Sequence, residues 1–518
     1  MEENFIKEDF DRSLKKFVKT SFIILIGIFL SKIFAYIYRI KIGRLSESFA
    51  EISGSELYGL FSLAVSIITI IISITSLGLQ GGLLRYISFY RGKKEIFKIR
   101  YLINFSIYVS LISSFIAMLF LIFSAEFISI NIFHDIRLTI FLKWFSLTIP
   151  LSIFAGLFIS TIQAYEEIKW YSAIRNIIDN GVKVFFLFLL IYLGFKVNAI
   201  ILSYIIGVFA MFIISFFVCK RKIVEIFGKY NLSLIEKKKL RKEILVYSLP
   251  LILVGILLFL FTSTDSFIIG ILRNVSDVGV YNTAIPIASL LTIVPSLFIY
   301  LFFPLITKEY AKNNLKFIEE LGKQITKWIF LFNLPIFILI FLFPENIINI
   351  IWGSQYLPAI NSLRFLAVGL LFYSVFQSSE NLISMIGKSN IVLFNISICA
   401  IVNLILGIFF VKKYGISGAA FVTMIVYILW SLIIILQIRK YLSIIPIKKE
   451  LLKIFISCVI SAILLLVVKS LISQNLIIII FEILFFFLVY FFLVLVTKSL
   501  DKNDIMIINT IKKKFLKN

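Results

Sequence analysis

The sequence predicts an all-α integral membrane protein of about fourteen transmembrane helices: two six-helix lobes in parallel pseudo-repeat, plus two C-terminal helices. Three observations predict it. The 518-residue chain is 60% hydrophobic and only 15% charged, with a mean hydropathy of +1.04, which excludes a soluble domain. Its apolar residues gather into stretches of the ~20 residues that a helix needs to cross the hydrocarbon core with every backbone polar group satisfied internally. Its 52 Lys and Arg fall on alternate connections between those stretches, about 40 of them on one side, as the positive-inside rule expects of a cytoplasmic face.

In chain order the predicted spans are residues 17–38, 58–80, 101–123, 138–162, 176–194, 198–219, 246–270, 282–303, 325–343, 361–386, 390–411, 415–436, 451–470 and 475–497. With a cytoplasmic N-terminus, an even number of spans returns the C-terminus to the same side. The expectation is a multi-pass plasma-membrane protein with both termini cytoplasmic. The first span is too long, and wrongly flanked, to be a cleaved signal peptide. The predicted divisions are an N-terminal lobe (1–222), a basic cytoplasmic linker (223–245), a C-terminal lobe (246–440), and two helices with a basic tail (441–518). Residues 5–18, 308–325 and 504–517 place apolar residues three to four apart among Lys and Arg, the pattern of helices lying in the inner interface.

The net charge of +24 does not indicate nucleic acid. The excess sits in juxtamembrane clusters such as Lys220-Arg221-Lys222 and Lys237-Lys238-Lys239, which suit anionic lipid headgroups. Cys219, Cys399 and Cys458 are scattered, so no disulfide or zinc site is indicated. His134 is the single histidine, which argues against a His-based metal centre. No cofactor is expected.

The chain repeats internally. Gly59-Leu60-Phe61-Ser62-Leu63-Ala64 aligns with Gly279-Val280-Tyr281-Asn282-Thr283-Ala284 at an offset of 220, and Ala199 with Ala419 at the same offset. Lys169 aligns with Lys388 at 219. Six spans per repeat is an even number, so the halves share one orientation and are expected to be related by an axis along the membrane normal, as in parallel-repeat transporters.

Several stretches carry a family resemblance. They are Leu57-Tyr58-Gly59-Leu60-Phe61-Ser62-Leu63-Ala64, Leu77-Gly78-Leu79-Gln80-Gly81-Gly82-Leu83-Leu84-Arg85-Tyr86-Ile87, Ser248-Leu249-Pro250-Leu251, Thr264-Asp265-Ser266, Val278-Gly279-Val280-Tyr281-Asn282-Thr283-Ala284 and Phe303-Pro304. In combination they resemble the polysaccharide-biosynthesis, O-antigen-type flippases of the multidrug/oligosaccharidyl-lipid/polysaccharide exporter superfamily. The resemblance implies a V-shaped two-lobe fold. It also implies transfer of a lipid-pyrophosphate-linked oligosaccharide from inner to outer leaflet by alternating access, for surface polysaccharide or glycoprotein glycan synthesis. The partners it implies are that substrate, membrane lipids and polysaccharide assembly proteins. A cation-coupled multidrug-type antiporter and a lipid-II-type flippase are the alternatives within the superfamily. A membrane polymerase or glycosyltransferase is the alternative of another class, but it needs acid–base or metal-holding residues on sizeable outer loops, and the outer connections here are short.

Ionisable residues inside spans are costly and need a partner or a wet cavity. A pyrophosphate crossing the membrane needs cationic donors to replace its lost hydration. Lys32 and Arg39 on the first span, with Arg85 at the inner end of the second, are the candidate substrate-binding residues. Asp265 and Glu380 are the candidates for gating or ion coupling. A Lys32–Asp265 pair is one form of gate, and proton or sodium coupling is another role for the carboxylates. Their depths in the helices argue against one ion shared by Asp265 and Glu380. Arg175, Asp179 and Lys183, at i, i+4 and i+8, read as a surface ladder. Lys469 and Glu482 read as a pair stapling the last two spans. Pro286, Pro295 and Pro304 in or near the eighth span predict a kink.

Overall fold

A computed structural model describes residues 26–45, 52–298, 314–385, 388–442, 448–471, 476–501 and 504. The described residues form helices joined by short turns, with no β-strand among them. Ten of these helices are long and apolar enough to cross a bilayer. The number is eleven when Leu138–Ser146 and Thr148–Ala164, bent by 42°, count as one span. This is a multi-pass membrane protein. Side chains such as Phe115, Ile116, Phe120 and Phe123 on one helix stay exposed, Phe123 by 81%, which suits acyl chains and not water.

Helix α1 covers residues 26–44. It continues past the predicted end at 38, so Arg39 and Lys41 are helical. Helix α2 (Gly54–Thr75) opens with a capping box between Ser53 and Glu56, which satisfies two otherwise orphaned N–H groups. It stops five residues earlier than expected. Leu77 and Gly78 take φ of 49° and 65°, a left-handed exit from the helix, and a separate helix α3 (Leu79–Gly92) begins. Apolar residues run unbroken across this turn, so hydropathy hides it. Arg85 therefore sits mid-way along α3 and not at the end of the second predicted span.

Then follow α4 (Ile96–Phe127), α5 (Leu138–Ser146), α6 (Thr148–Ala164), α7 (Ile168–Ser172), α8 (Asp179–Tyr192) and α9 (Lys196–Lys222). Helix α10 (Leu234–Leu272) starts at a second capping box, Ser233 with Glu236. Its first three turns take up residues expected to be linker, because Glu236, Lys237, Lys238 and Lys239 are good helix formers behind a strong cap. Helix α11 (Val275–Ala288) passes into a 3₁₀ turn at Ser289–Thr292, between Pro286 and Pro295, each of which lacks a backbone donor.

Helix α12 (Leu315–Leu342) is continuous. The part of the predicted interfacial segment 308–325 that lies in it is the start of a span. Pro304 and residues 308–313, 5–18 and 505–517 lie outside the described residues. Next come α13 (Pro344–Ile351), α14 (Ile360–Met385), α15 (Ser389–Leu442), α16 (Glu450–Leu471) and α17 (Leu476–Val496). Helix α15 contains two predicted spans and bends at Gly415, where φ is 61° and ψ −140°.

Two compact units form. The first holds the described residues up to Thr283 with Asn349–Ala359 and Ile396–Val422. Its core joins Leu79, Leu83 and Ile87 of α3 to Leu102 of α4, Phe158 and Ile162 of α6, and Ile244 of α10. The second holds Ala284–Ile348, Ile360–Asn395 and the described residues from Thr423. Within it Asn333 of α12 donates to Leu291 O at 2.7 Å and Ser374 Oγ at 2.9 Å, and Tyr490 of α17 donates to Leu331 O at 2.7 Å.

Candidate substrate-binding site

The candidate site is built in the first unit around the two ends of α2. At the first end, α1, α2, α8 and α9 bring one cluster together. Arg39 is half-buried on α1. It lies close enough to Tyr58, Tyr204 and Lys183 to act on each electrostatically. Among the described residues no carboxylate pairs with it. Lys183 of α8 meets Asp179 at 2.8 Å and stands 4.3 Å above the Tyr204 ring. Its alkyl chain lies against α9 at Gly207, where a Cβ would strike it. Tyr38 closes the same region, donating to Ile200 O at 3.1 Å and lying 3.0 Å from Ser203 Oγ.

This corrects the reading of Arg175, Asp179 and Lys183 as a surface ladder. Lys183 is 8% exposed, and Arg175 reaches the Tyr171 hydroxyl instead, at 3.3 Å. An i, i+4 Asp–Lys pair looks alike whether it faces water or a neighbouring helix. Only the packing of α9 against α8 decides between them, so Lys183, Asp179 and Tyr204 were missed as site residues.

The other predicted residues are distributed as follows. Lys32 is half-buried on α1, two turns from Arg39 and so on the same face. Tyr58 packs against Trp352 with tilted rings 5.1 Å apart, and Asn282 donates to Ser266 Oγ at 3.0 Å. Beside Ser266, Asp265 of α10 accepts a hydrogen bond from Tyr281 of α11. Glu380 belongs to the second unit. It is 9% exposed on α14, with Trp430 and Tyr373 beside its carboxylate. The expected Lys469–Glu482 staple does not form: Lys469 donates to Leu342 O at 3.2 Å and stands over the Phe343 ring at 4.3 Å.

At the other end of α2, Arg85 is exposed on α3, with its guanidinium 4.3 Å above the Tyr247 ring of α10. From Tyr58 to Thr75 along α2 is about 26 Å at the helical rise, close to the thickness of a hydrocarbon core. The first unit thus carries two basic, aromatic-lined places at the two ends of one span. A triad reinforces the Tyr58 end. Arg137 reaches Asp135 at 2.8 Å and Glu56 at 3.1 Å, and the hydrogen bond to Asp135, then that to Glu56, raise its pKa above the usual guanidinium range against the opposing effect of burial.

Comparison with known proteins places this architecture. A family model described as "Polysaccharide biosynthesis protein" matches residues 17–310, and one described as "MatE" matches residues 250–409. An uncharacterized membrane protein of Methanocaldococcus jannaschii is 23% identical over 389 residues, 72% of this chain and 75% of its own length. A putative O-antigen transporter of Shigella flexneri is 23% identical over 394 residues, 74% of this chain and 88% of its own. Among solved structures, the lipid II flippase MurJ in an inward closed conformation has a TM-score of 0.71 at 18% identity, over 91% of this chain and 97% of that one. That last likeness is one of fold. With more than half of its residues matched by the first family model, this chain belongs to the polysaccharide biosynthesis protein family.

Proposed function

We propose that this protein is a flippase moving a lipid-pyrophosphate-linked oligosaccharide from the inner to the outer leaflet by alternating access. The observation that carries the reading is Arg39, a half-buried guanidinium within electrostatic range of Lys183, Tyr58 and Tyr204 with no carboxylate partner among the described residues. Removing a fixed cation from water without an anion is costly. Arginine stays protonated at physiological pH and binds phosphate bidentately, so an anionic headgroup arriving at this cluster supplies what the protein omits. Lys32, on the same face of α1, extends the cationic surface. Family membership and the O-antigen transporter of Shigella flexneri support a polysaccharide-precursor substrate.

The same reading takes fourteen spans with both termini cytoplasmic, and no covalent chemistry on the sugar. Asp265 and Glu380 are the carboxylates proposed for gating or for coupling to protons or sodium.

The test is flipping of defined lipid-pyrophosphate sugars by protein reconstituted in vesicles. Arg39→Gln is expected to slow flipping about tenfold or more, the order of a lost charge-assisted contact, with an unchanged unfolding midpoint. Turnover of the sugar–lipid bond in detergent, or wild-type flipping by Arg39→Gln, counts against the reading.

A further inference from the structure

We infer that Arg85, Tyr86 and Tyr247 form a recognition shelf for a glycosyl phosphate at the cytoplasmic end of the first unit, where the substrate is loaded before it crosses. The choice of ligand class rests on the proposed function; the shelf itself rests on geometry.

The shelf begins with glycine. Gly78, Gly81 and Gly82 face Ser248, Leu251 and Ile244, and a Cβ on any of the three would strike α10. Bare backbone lets α3 and α10 approach closely, and the next turn of α3 lays Arg85 across Tyr247. The guanidinium carbon stands 4.3 Å from the Tyr247 centroid and 5.7 Å from that of Tyr86. Tyr86 meets Tyr247 edge-on at 6.0 Å and lies parallel to Tyr90 at 6.3 Å. Glu243 fixes the far side: Tyr86 donates to its carbonyl at 3.1 Å, and Tyr90 to its Oε2 at 2.8 Å.

Two features separate this from an ordinary helix staple. Arg85 is exposed, and among the described residues it has no hydrogen bond and no ion pair. The nearby carboxylate, Glu243, accepts from Tyr90. A guanidinium positioned by two rings thus presents N–H donors that no other group uses. That matches a phosphate, which takes such donors in pairs. The tyrosines beside it are rigid rings, suited to the C–H face of a sugar. Lys93 stands over Phe89 at 4.4 Å, and Lys98, paired with Glu95 at 2.9 Å, stands over Tyr90 at 5.3 Å. One ligand needs both halves of this surface: a pyrophosphate with a sugar attached.

The experiment uses the full chain in phosphatidylcholine nanodiscs and three probes. They are a short-chain prenyl pyrophosphate carrying one N-acetylhexosamine, the same prenyl pyrophosphate without sugar, and phosphatidylglycerol. Arg85→Gln is expected to weaken both pyrophosphates about tenfold, the scale of a charge-assisted contact. Tyr247→Leu, which also removes one ring beneath Arg85, should weaken the glycosylated probe severalfold more than the bare pyrophosphate, while Tyr247→Phe binds it as wild type does. Unfolding midpoints confirm that each variant is folded; should Tyr247→Leu fail to fold, Tyr86→Leu takes its place. The shelf is overturned if Arg85→Gln binds both pyrophosphates normally, if the leucine variant loses both equally, or if phosphatidylglycerol competes as well as they do. Wild-type protein that binds neither pyrophosphate overturns the substrate reading and the shelf together. Wild-type binding with unaffected variants overturns the shelf alone.

Discussion

Gly59 of α2 and Gly279 of α11 meet each other's helices in a reciprocal contact. Val275 O occupies the place of a Cβ on Gly59, and Ser55 O the place of a Cβ on Gly279. Ser55 and Val275 are separated by the same 220 residues as the two glycines, so the contact maps onto itself under the internal repeat, as contacts across a two-fold axis do. Ser55 and Ser276 add a hydroxyl contact of 2.7 Å. Any side chain at either glycine must push backbone against backbone. Gly59→Ala and Gly279→Ala should each lower stability by about 1–3 kcal/mol, the usual cost of overpacking. Gly92→Ala, with nothing within 4 Å of the new methyl, serves as the control. Thermal unfolding in detergent reads the difference, and equal midpoints for all three variants would show that the helices can part freely.

The Lys183–Asp179 pair is mostly buried, with side chains 10% and 20% exposed. Removing one partner leaves the other charged and unpaired, which costs about 3 kcal/mol in such sites. Lys183→Met and Asp179→Asn should each destabilise strongly, and the double variant by clearly less than their sum. A double-mutant cycle on unfolding free energies makes the check. Additive losses would mean that the two residues act separately.

Gly415 bends α15 with a backbone conformation that residues bearing a Cβ adopt only under strain. A Cβ added there would also stand 3.1 Å from the Arg273 guanidinium. Gly415→Ala is expected to lower the yield of folded protein and its unfolding midpoint, whereas Ile416→Val, one position on, should change little. Size-exclusion profiles and midpoints measured side by side decide this.

A clasp ties α12 to the residues after α17 in the second unit. Lys327 of α12, fully buried, pairs with Asp501 at 3.0 Å and with Asp504. Lys448 reaches Asp501 at 2.8 Å, and Trp328 donates to Asp504 at 2.7 Å. Burial alone would raise the Asp501 pKa, but hydrogen bonds from Lys448 and Lys327 outweigh it and hold the carboxyl well below its usual range. A lowered folded-state pKa means stabilisation that is present above the ordinary carboxylate value of about 3.9. It is lost only as the pH falls through the lower folded value. The stability gap between wild type and Asp501→Asn should therefore stay constant from about pH 8 to about pH 5. A gap that closes within that window would show that Asp501 is not held ionised. Lys327→Met should destabilise across the same range, because two carboxylates then lose their buried cation.

What was legible in the sequence is what depends on transfer from water to hydrocarbon. Length and apolarity marked the ten or eleven helices among the described residues that can cross a bilayer, and the side bias of Lys and Arg set the expected topology. The 220-residue offset also held locally, in the Gly59–Gly279 contact. The turn at Leu77–Gly78 was not legible, because the left-handed exit lies within an uninterrupted apolar run. Arg85 was picked out, but its place on a separate helix was not.

By itself the sequence determined that the chain is helical and embedded in a membrane, and it marked candidate ionisable residues within spans, since each follows from local composition and spacing. Only the tertiary structure decided which of those residues meet. Lys183 is buried against Tyr204 because α9 carries a glycine opposite it. Arg85 rests on Tyr247 because three glycines let α3 close on α10. Lys469 turns to Leu342 instead of Glu482. Partner choice depends on the distance and rotation between helices far apart in the chain, and hydrophobic periodicity, which is blind to both, cannot specify it.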